Sequence, residues 1–272
     1  MKEKRSRLQV LCVAMNQHDT SLAEKMHIRS DLVIANQAER NEVVEEYHEW
    51  GRIRMVSTTT RGVGKNRNTA FLHPDGEILL LSDDDICYTD SYVEDVLREF
   101  DSHSDADVVI FNITSSDPSR KQVENRKTRK LTPFSRLPYG APRIAIRRSS
   151  WEKHNVWFSL IFGGGAKYSN GEDTIFLNDL RKKKMVIYVS EKNIGTIDMG
   201  YSSWYKGTNE EFYFNKGVLC ANQYPTQKLV RMIYFLFRVK SGLSMQQRMR
   251  AFLCGFQAYG QGKAYCDYYA DC

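Results

Sequence analysis

Three adjacent carboxylates, Asp83-Asp84-Asp85, come directly after the apolar run Ile78-Leu79-Leu80-Leu81-Ser82. Neighbouring carboxylates at the end of a buried strand repel one another and are pushed toward protonation. A divalent cation removes that cost. Hard oxygen ligands suit Mg2+ or Mn2+, and Mg2+ is commonly held by one or two carboxylates together with substrate phosphates. The plainer reading is a solvated acidic turn leading into a helix that begins near Thr89 or Asp90. A second stretch, Arg61-Gly62-Val63-Gly64-Lys65-Asn66-Arg67-Asn68, combines three cations with small residues that let a backbone approach a phosphate closely. It is not a Walker loop, because Gly-x-x-x-x-Gly-Lys is absent, and Arg67 stands where a dinucleotide fingerprint needs its third glycine. A polar strand-to-helix turn is the alternative. A third stretch runs from Gly163-Gly164-Gly165 through Asn170-Gly171 to Glu172-Asp173. Two carboxylates opening a helix either complement its dipole or supply a general base beside a second acid, with a mobile glycine loop ahead of them to cover a substrate.

The elements that must position these residues are legible as alternating apolar runs and polar, helix-like segments. Leu8–Met15, Asp31–Asn36, Arg52–Ser57, Glu77–Ser82 and Ala106–Asn112 read as strands, and Glu39–Trp50, Lys65–Leu72 and Ser91–Phe100 as helices. Continuous apolar strands alternating with helices predict a parallel sheet covered on both faces. Ligands in such sheets bind outside the carboxyl ends of the strands, so the residues just beyond each strand matter most. Beyond residue 113 the alternation gives way to a basic loop, Arg120–Lys130, and a proline-rich segment. A strand is expected over Arg143–Arg147, a helix over Ser149–Asn155, a helix over Glu172–Lys183, a strand over Met185–Ser190 and an amphipathic helix over Thr226–Lys240.

The chain has 272 residues, 42% of them hydrophobic and 26% charged, which is a globular profile with ample core. Its apolar runs are far short of the roughly 20 residues a spanning helix needs. Met1-Lys2-Glu3-Lys4-Arg5 leads almost directly into a strand, so export is not expected, and six cysteines without metal-type spacing read as reduced thiols. The net charge of +6 is unevenly placed: from Phe212 to Cys266 there are eight Lys or Arg and no acid. On the C-terminal helix Lys228, Arg231 and Arg238 share a face, Leu229, Ile233, Leu236 and Lys240 lie nearer the other, and Tyr234, Phe235 and Phe237 add aromatics. Such a helix suits an anionic membrane interface, or packs on the catalytic domain with its basic face in water. No nucleic-acid recognition motif accompanies the charge.

Taken in order, Gly64-Lys65-Asn66-Arg67-Asn68, Leu80-Leu81-Ser82-Asp83-Asp84-Asp85 and Asn170-Gly171-Glu172-Asp173-Thr174-Ile175-Phe176 resemble glycosyltransferase family 2, over roughly residues 8 to 205. The resemblance implies an α/β GT-A fold, a Rossmann-like, mostly parallel sheet flanked by helices with a basic helical C-terminal part. It implies a catalytic domain over 1–210 and a basic region over 211–272. The activity it implies is inverting, metal-dependent, hexosyltransferase-type transfer from a nucleotide-diphosphate sugar, with a lean to UDP, to a hydroxyl of a glycan or lipid-linked oligosaccharide. Bacterial surface polysaccharide synthesis in the cytoplasm, peripheral on the inner membrane face, is the setting it implies.

By the same resemblance Asp173 is the base and Glu172 holds an acceptor hydroxyl. Asp85, with Asp83, binds Mn2+ or Mg2+. Ala14, Asn16, Asn36, Lys65, Arg67, Asp83 and Asp84 serve the nucleotide. Gly163, Gly164, Gly165 and Trp204 lie at the donor sugar or acceptor. The chain departs from the family in reading Ala14-Met15-Asn16-Gln17 where Pro-x-Tyr-Asn is frequent, in carrying Asn36 where an Asp commonly reads the base, and in having no His after His154. Asp198 is the candidate replacement for that metal ligand. A catalytically inactive glycan-binding or scaffold module and a sugar nucleotidyltransferase are the alternatives. The second is disfavoured because Ala14–Thr20 carries no Gly, Lys or Arg.

Overall fold

A computed structural model describes residues 6–117, 122–198, 207–239 and 241–270. The chain divides into two compact units, residues 1–159 with 173–201, and residues 160–172 with 202–272. The division is discontinuous in sequence: the segment just before Glu172 belongs with the C-terminal helices.

In the first unit the elements run β1 (Leu8–Met15), α1 (Leu22–Lys25), β2 (Asp31–Gln37), β3 (Glu42–His48), β4 (Gly51–Thr58), α2 (Val63–Phe71), β5 (Ile78–Asp83), β6 (Ile86–Tyr88), α3 (Tyr92–Ser102) and β7 (Val108–Ser115). They continue with β8 (Arg129–Lys130), β9 (Ile144–Arg147), α4 (Arg148–His154), α5, which opens at Glu172 and ends at Lys182, and β10 (Ile187–Ile197). The strands form one sheet in the order β3-β4-β2-β1-β5-β9-β7-β10-β6, with β8 paired to β10. Strands β4, β2, β1 and β5 are parallel, as are β7 and β10, while β9 runs antiparallel between β5 and β7.

Strand alternation sends successive side chains to opposite faces. Val10, Cys12 and Leu80 join Met26, Tyr92, Val96 and Phe100 under α1 and α3. Leu11, Leu79 and Leu81 join Phe71, Trp151, Phe176 and Leu180 under α2, α4 and α5. Both faces are therefore covered, which is why β1 and β5 read as unbroken apolar runs.

One expected helix is a strand. Glu39–Trp50 contains β3, an exposed edge strand antiparallel to β4. Its Glu residues suggest a helix locally, but cross-strand pairing decides, with Glu45 taking a charged hydrogen bond from Arg54.

The second unit contains α6 (Glu210–Gln223), α7 (Lys228–Arg238), α8 (Met245–Gln261) and α9 (Tyr265–Ala270). Helices α6 and α8 cross backbone to backbone. A Cβ on Gly217 would lie 2.0 Å from Phe252 O, and one on Gly255 would lie 1.9 Å from Phe214 O, so neither position admits a side chain. Ser244 and Gln247 form a reciprocal capping box that starts α8.

Candidate active site

The Gly64–Asn68 motif forms the first half of α2, and its side chains stitch together elements distant in sequence. A Cβ on Gly64 would stand 2.1 Å from Ser159 O, so glycine is what allows α2 to lie against that backbone. Asn68 pairs reciprocally with Phe158, accepting from its N–H at 2.9 Å and donating to its carbonyl at 3.0 Å. The Asn66 amide donates to the carbonyls of Ala14 (3.1 Å) and Ala35 (2.7 Å), tying α2 to the carboxyl ends of β1 and β2. Asn66 and Asn68 were not among the candidate site residues, and nothing in their local sequence reveals such distant partners. Lys65 is exposed in the first turn of α2, where backbone N–H groups and the helix dipole favour an anion.

Arg67 is buried and its guanidinium lies 5.1 Å above the Phe158 ring. Its Nη1 donates to Asp173 Oδ1 at 2.9 Å and its Nη2 to Asp83 Oδ1 at 3.0 Å. The sequence places this arginine at the nucleotide's phosphates. The structure commits it to two carboxylates, one at the end of β5 and one in the first turn of α5.

Asp84 and Asp85 occupy the turn between β5 and β6. Burial pushes both carboxyls up, and the charges of their acidic neighbours add to it. Asp85 is raised to about 7, with Asp83, Asp84 and Asp198 all contributing. Asp85 Oδ1 is buried with no hydrogen-bond partner. Asp198 stands beside this turn, its N–H donating to Asp85 O at 2.9 Å. Among the described residues no three His, Cys, Asp or Glu side chains converge into a ready-made cage. A partly protein-made site completed by substrate phosphates is the usual arrangement for Mg2+. An orphaned, buried carboxylate oxygen in a triple-Asp turn fits a hard divalent cation.

Asn36 lies near the carboxyl end of β2. It is fully buried, its amide donates to Gln17 O and Ser57 Oγ (both 2.9 Å), and its Oδ1 accepts from Gln17 N–H at 3.0 Å. Both donors are spent inside the protein and the oxygen accepts one bond there, so Asn36 clamps the loop after β1. Asn16, in that loop, is exposed in a left-handed conformation (φ 54°), its N–H bonded to Gln37 O at 2.8 Å. Ala14 is buried and its carbonyl is taken by Asn66.

In the second unit the glycine-rich segment is a hydrogen-bonded turn. Gly163 N–H donates to Tyr168 O (2.8 Å) and Ala166 N–H to Gly163 O (3.0 Å), while the Phe162 and Tyr168 rings lie 4.9 Å apart. Gly163 and Gly164 are buried and Gly165 is exposed. The next residues along the chain dock on one face of α6. Ser169 Oγ accepts from Asn215 at 2.8 Å, Asn170 Oδ1 accepts from Lys216 at 3.3 Å, and Gly171 lies against Leu219. Lys216, also missed in sequence, is held down from the usual lysine range by burial, with the charge of Glu172 opposing. Trp204 lies outside the described residues.

The sequence model described as Glycosyl transferase family 2 matches residues 20–160, more than half of the chain. The chain belongs to glycosyl transferase family 2. No curated protein sequence matches it. Among solved structures this family member is similar to residues 1–349 of TarS from S. aureus. The complex with UDP-GlcNAc gives a TM-score of 0.62 at 16% identity, covering 95% of this chain and 93% of that one. The UDP complex gives 0.59 at 15% identity, with the same coverage. A longer S. aureus TarS chain gives 0.56 at 16% identity, covering 96% of this chain and 44% of that one. At such identity the likeness is one of fold, and it is the GT-A fold: a mostly parallel sheet flanked by helices.

Proposed function

We propose that this family 2 glycosyltransferase moves a sugar from a nucleotide-diphosphate donor to a hydroxyl of a glycan acceptor, with inversion at the anomeric carbon. The observation that carries this reading is the Arg67 bridge. It ties the carboxylate proposed as base, Asp173, to the acidic turn proposed for the donor diphosphate. In the displacement an acceptor oxygen bonds to the anomeric carbon as the bond from that carbon to the diphosphate oxygen breaks. The electron pair leaves with the diphosphate, and the hydroxyl proton passes to Asp173. An adjacent guanidinium favours an ionised carboxylate, the form a base needs. It also fixes one oxygen of Asp173 by a charge-assisted hydrogen bond. Glu172 would hold an acceptor hydroxyl.

Asp85, assisted by Asp83, would hold Mn2+ or Mg2+. When bound, such a cation supplies Lewis-acid neutralisation of charge on the departing diphosphate. Lys65 would add a flexible cation for the phosphates. The similar TarS structures hold UDP-GlcNAc and UDP, which supports a uridine diphosphate sugar as donor. A glycan acceptor carried on a lipid, in bacterial surface polysaccharide synthesis, is the setting proposed.

Thermal unfolding with UDP, GDP, dTDP and CMP, each with Mn2+ or chelator, tests the donor side. A ligand at about 100 times its dissociation constant stabilises by about 2.7 kcal/mol, a shift of several degrees for a chain of this size. A shift with UDP that requires Mn2+ is expected. No shift with any nucleotide, together with no hydrolysis of UDP-sugars, would sink the reading in favour of an inactive glycan-binding module.

A further inference from the structure

We propose that the outward face of α7 docks this protein on an anionic lipid surface. The helix turns Met232 and Leu236 inward, where they pack with Cys220 and Phe252. The rest of its surface is expected to be polar if it meets only water. Instead Leu229 is 61% exposed, Val230 70%, Ile233 52% and Phe237 72%. Leu229, Ile233 and Phe237 succeed one another at intervals of four, so they line up as one stripe across more than two turns. Isolated apolar residues on a surface are ordinary, whereas a contiguous stripe marks an interaction face.

The charge on the other flank of the helix selects the partner. Between Phe212 and Cys266 there is no acid, and eight cations lie in that stretch. On one flank of α7, Arg231 stacks 3.8 Å above the Tyr224 ring and Lys228 lies 4.7 Å from the Phe256 ring centre. Arg238 is exposed on the same flank. A second copy would bring the same excess of cations in this stretch, which disfavours its pairing here. An anionic bilayer offers both an apolar layer for the stripe and negative headgroups for the cations. The stripe is one helix wide, as suits burial at the boundary between headgroups and acyl chains. At 11 residues α7 is about 16 Å long. Among the described residues no helix is long and apolar enough to cross a membrane, so α7 lies on the surface rather than through it.

The test is co-sedimentation of the full chain with vesicles of phosphatidylcholine alone and of phosphatidylcholine mixed with phosphatidylglycerol. No donor or acceptor is present, so the result is independent of the proposed sugar transfer. Binding is expected on the mixed vesicles, weakening as salt screens the charges. Ile233→Asp/Phe237→Asp should reduce it at least about tenfold, since each substitution replaces a membrane-buried apolar side chain with a charge. Both side chains point outward, so the thermal midpoint should hold. If it falls, Val230→Asp, at the most exposed aliphatic position of the helix, takes their place. The proposal is overturned if the wild type fails to bind mixed vesicles at low salt, or if the variant binds as well as the wild type. It is equally overturned if the chain forms a dimer that the variant abolishes while vesicle binding is absent.

Discussion

Asp83 and Asp173 take hydrogen bonds from the two terminal nitrogens of one guanidinium, Arg67, at 3.0 and 2.9 Å. Asp83 ends β5 and Asp173 lies in the first turn of α5, so their relative position is set by a side chain and not by a shared element. Arg67 is itself fixed, because α2 is seated on Phe158 and Ser159 through Asn68 and Gly64.

Replacing Arg67 therefore acts on two carboxylates at once. Arg67→Gln removes this cation from both, and breaking a buried ion pair costs about 3–5 kcal/mol. Each carboxylate is roughly a quarter to a third exposed, so the lower end of that range is expected in a urea titration. Loss of an adjacent positive charge also disfavours an ionised base. The acid limb of the pH–rate profile should move upward in Arg67→Gln, which removes that charge, and less in Arg67→Lys, which keeps a cation but loses the two-pronged donor. An unmoved limb with only a fall in stability would make Arg67 a purely structural residue.

Asp173→Asn separates binding from chemistry. The amide keeps an oxygen toward Arg67 but accepts a proton poorly. Transfer should fall by at least about 10²–10⁴, while the nucleotide-induced shift in thermal midpoint stays. Near-wild-type transfer would remove Asp173 from the role of base.

Much of this was legible in the sequence, for a physical reason. Leu8–Met15 and Ile78–Asp83 are buried on both faces, so apolarity alone marks them, and the residues next in the chain fall at the carboxyl edge. Edge strand β3 was not legible, because half-exposed residues carry weak periodicity and its pairing with β4 is set by tertiary context. Asn36 poses a related problem: an amide beside a binding edge can face a ligand or brace a loop, and its loop-bracing partners are visible only in three dimensions. The same holds for Arg67, whose carboxylates come from distant parts of the chain, and for Lys216, whose partner Asn170 lies 46 residues away.

The acidic turn gives a pH-dependent prediction for the chelator-treated protein. Asp85 is raised from 3.8 to about 7 by burial and by Asp83 and Asp84. A carboxyl with a raised value binds its proton more tightly folded than unfolded. Its contribution is fully present below pH about 4 and is lost as pH rises through about 7. The loss is on the order of 2–4 kcal/mol for a shift of this size. Adding Mn2+ should thus raise the thermal midpoint more at pH 7.5 than at pH 5.5. In Asp85→Asn both the pH dependence and the Mn2+ response should shrink. An equal Mn2+ response in that variant would place the cation elsewhere.

Lys216 gives the last prediction. Its Nζ reaches Asn170 Oδ1 at 3.3 Å and lies 5.1 Å from the Phe212 ring centre and 5.8 Å from that of Phe235. Burial depresses its ionisation, with the Glu172 charge pulling the other way. A lysine with a depressed value binds its proton less tightly folded than unfolded, so it costs stability at neutral pH, and that cost is relieved only as pH rises toward the unfolded value. Lys216→Met keeps the stem packed on the two rings and removes the buried charge. Its thermal midpoint should hold within about 1 kcal/mol of stability or rise. The Asn170–Glu172 turn, however, loses both its donor and its cation. Hydrolysis of the donor sugar should persist while transfer to the best glycan in an acceptor panel falls, chiefly through KM for that acceptor. Parallel loss of hydrolysis and transfer would show instead that Lys216 supports the whole helix rather than the turn proposed for the acceptor.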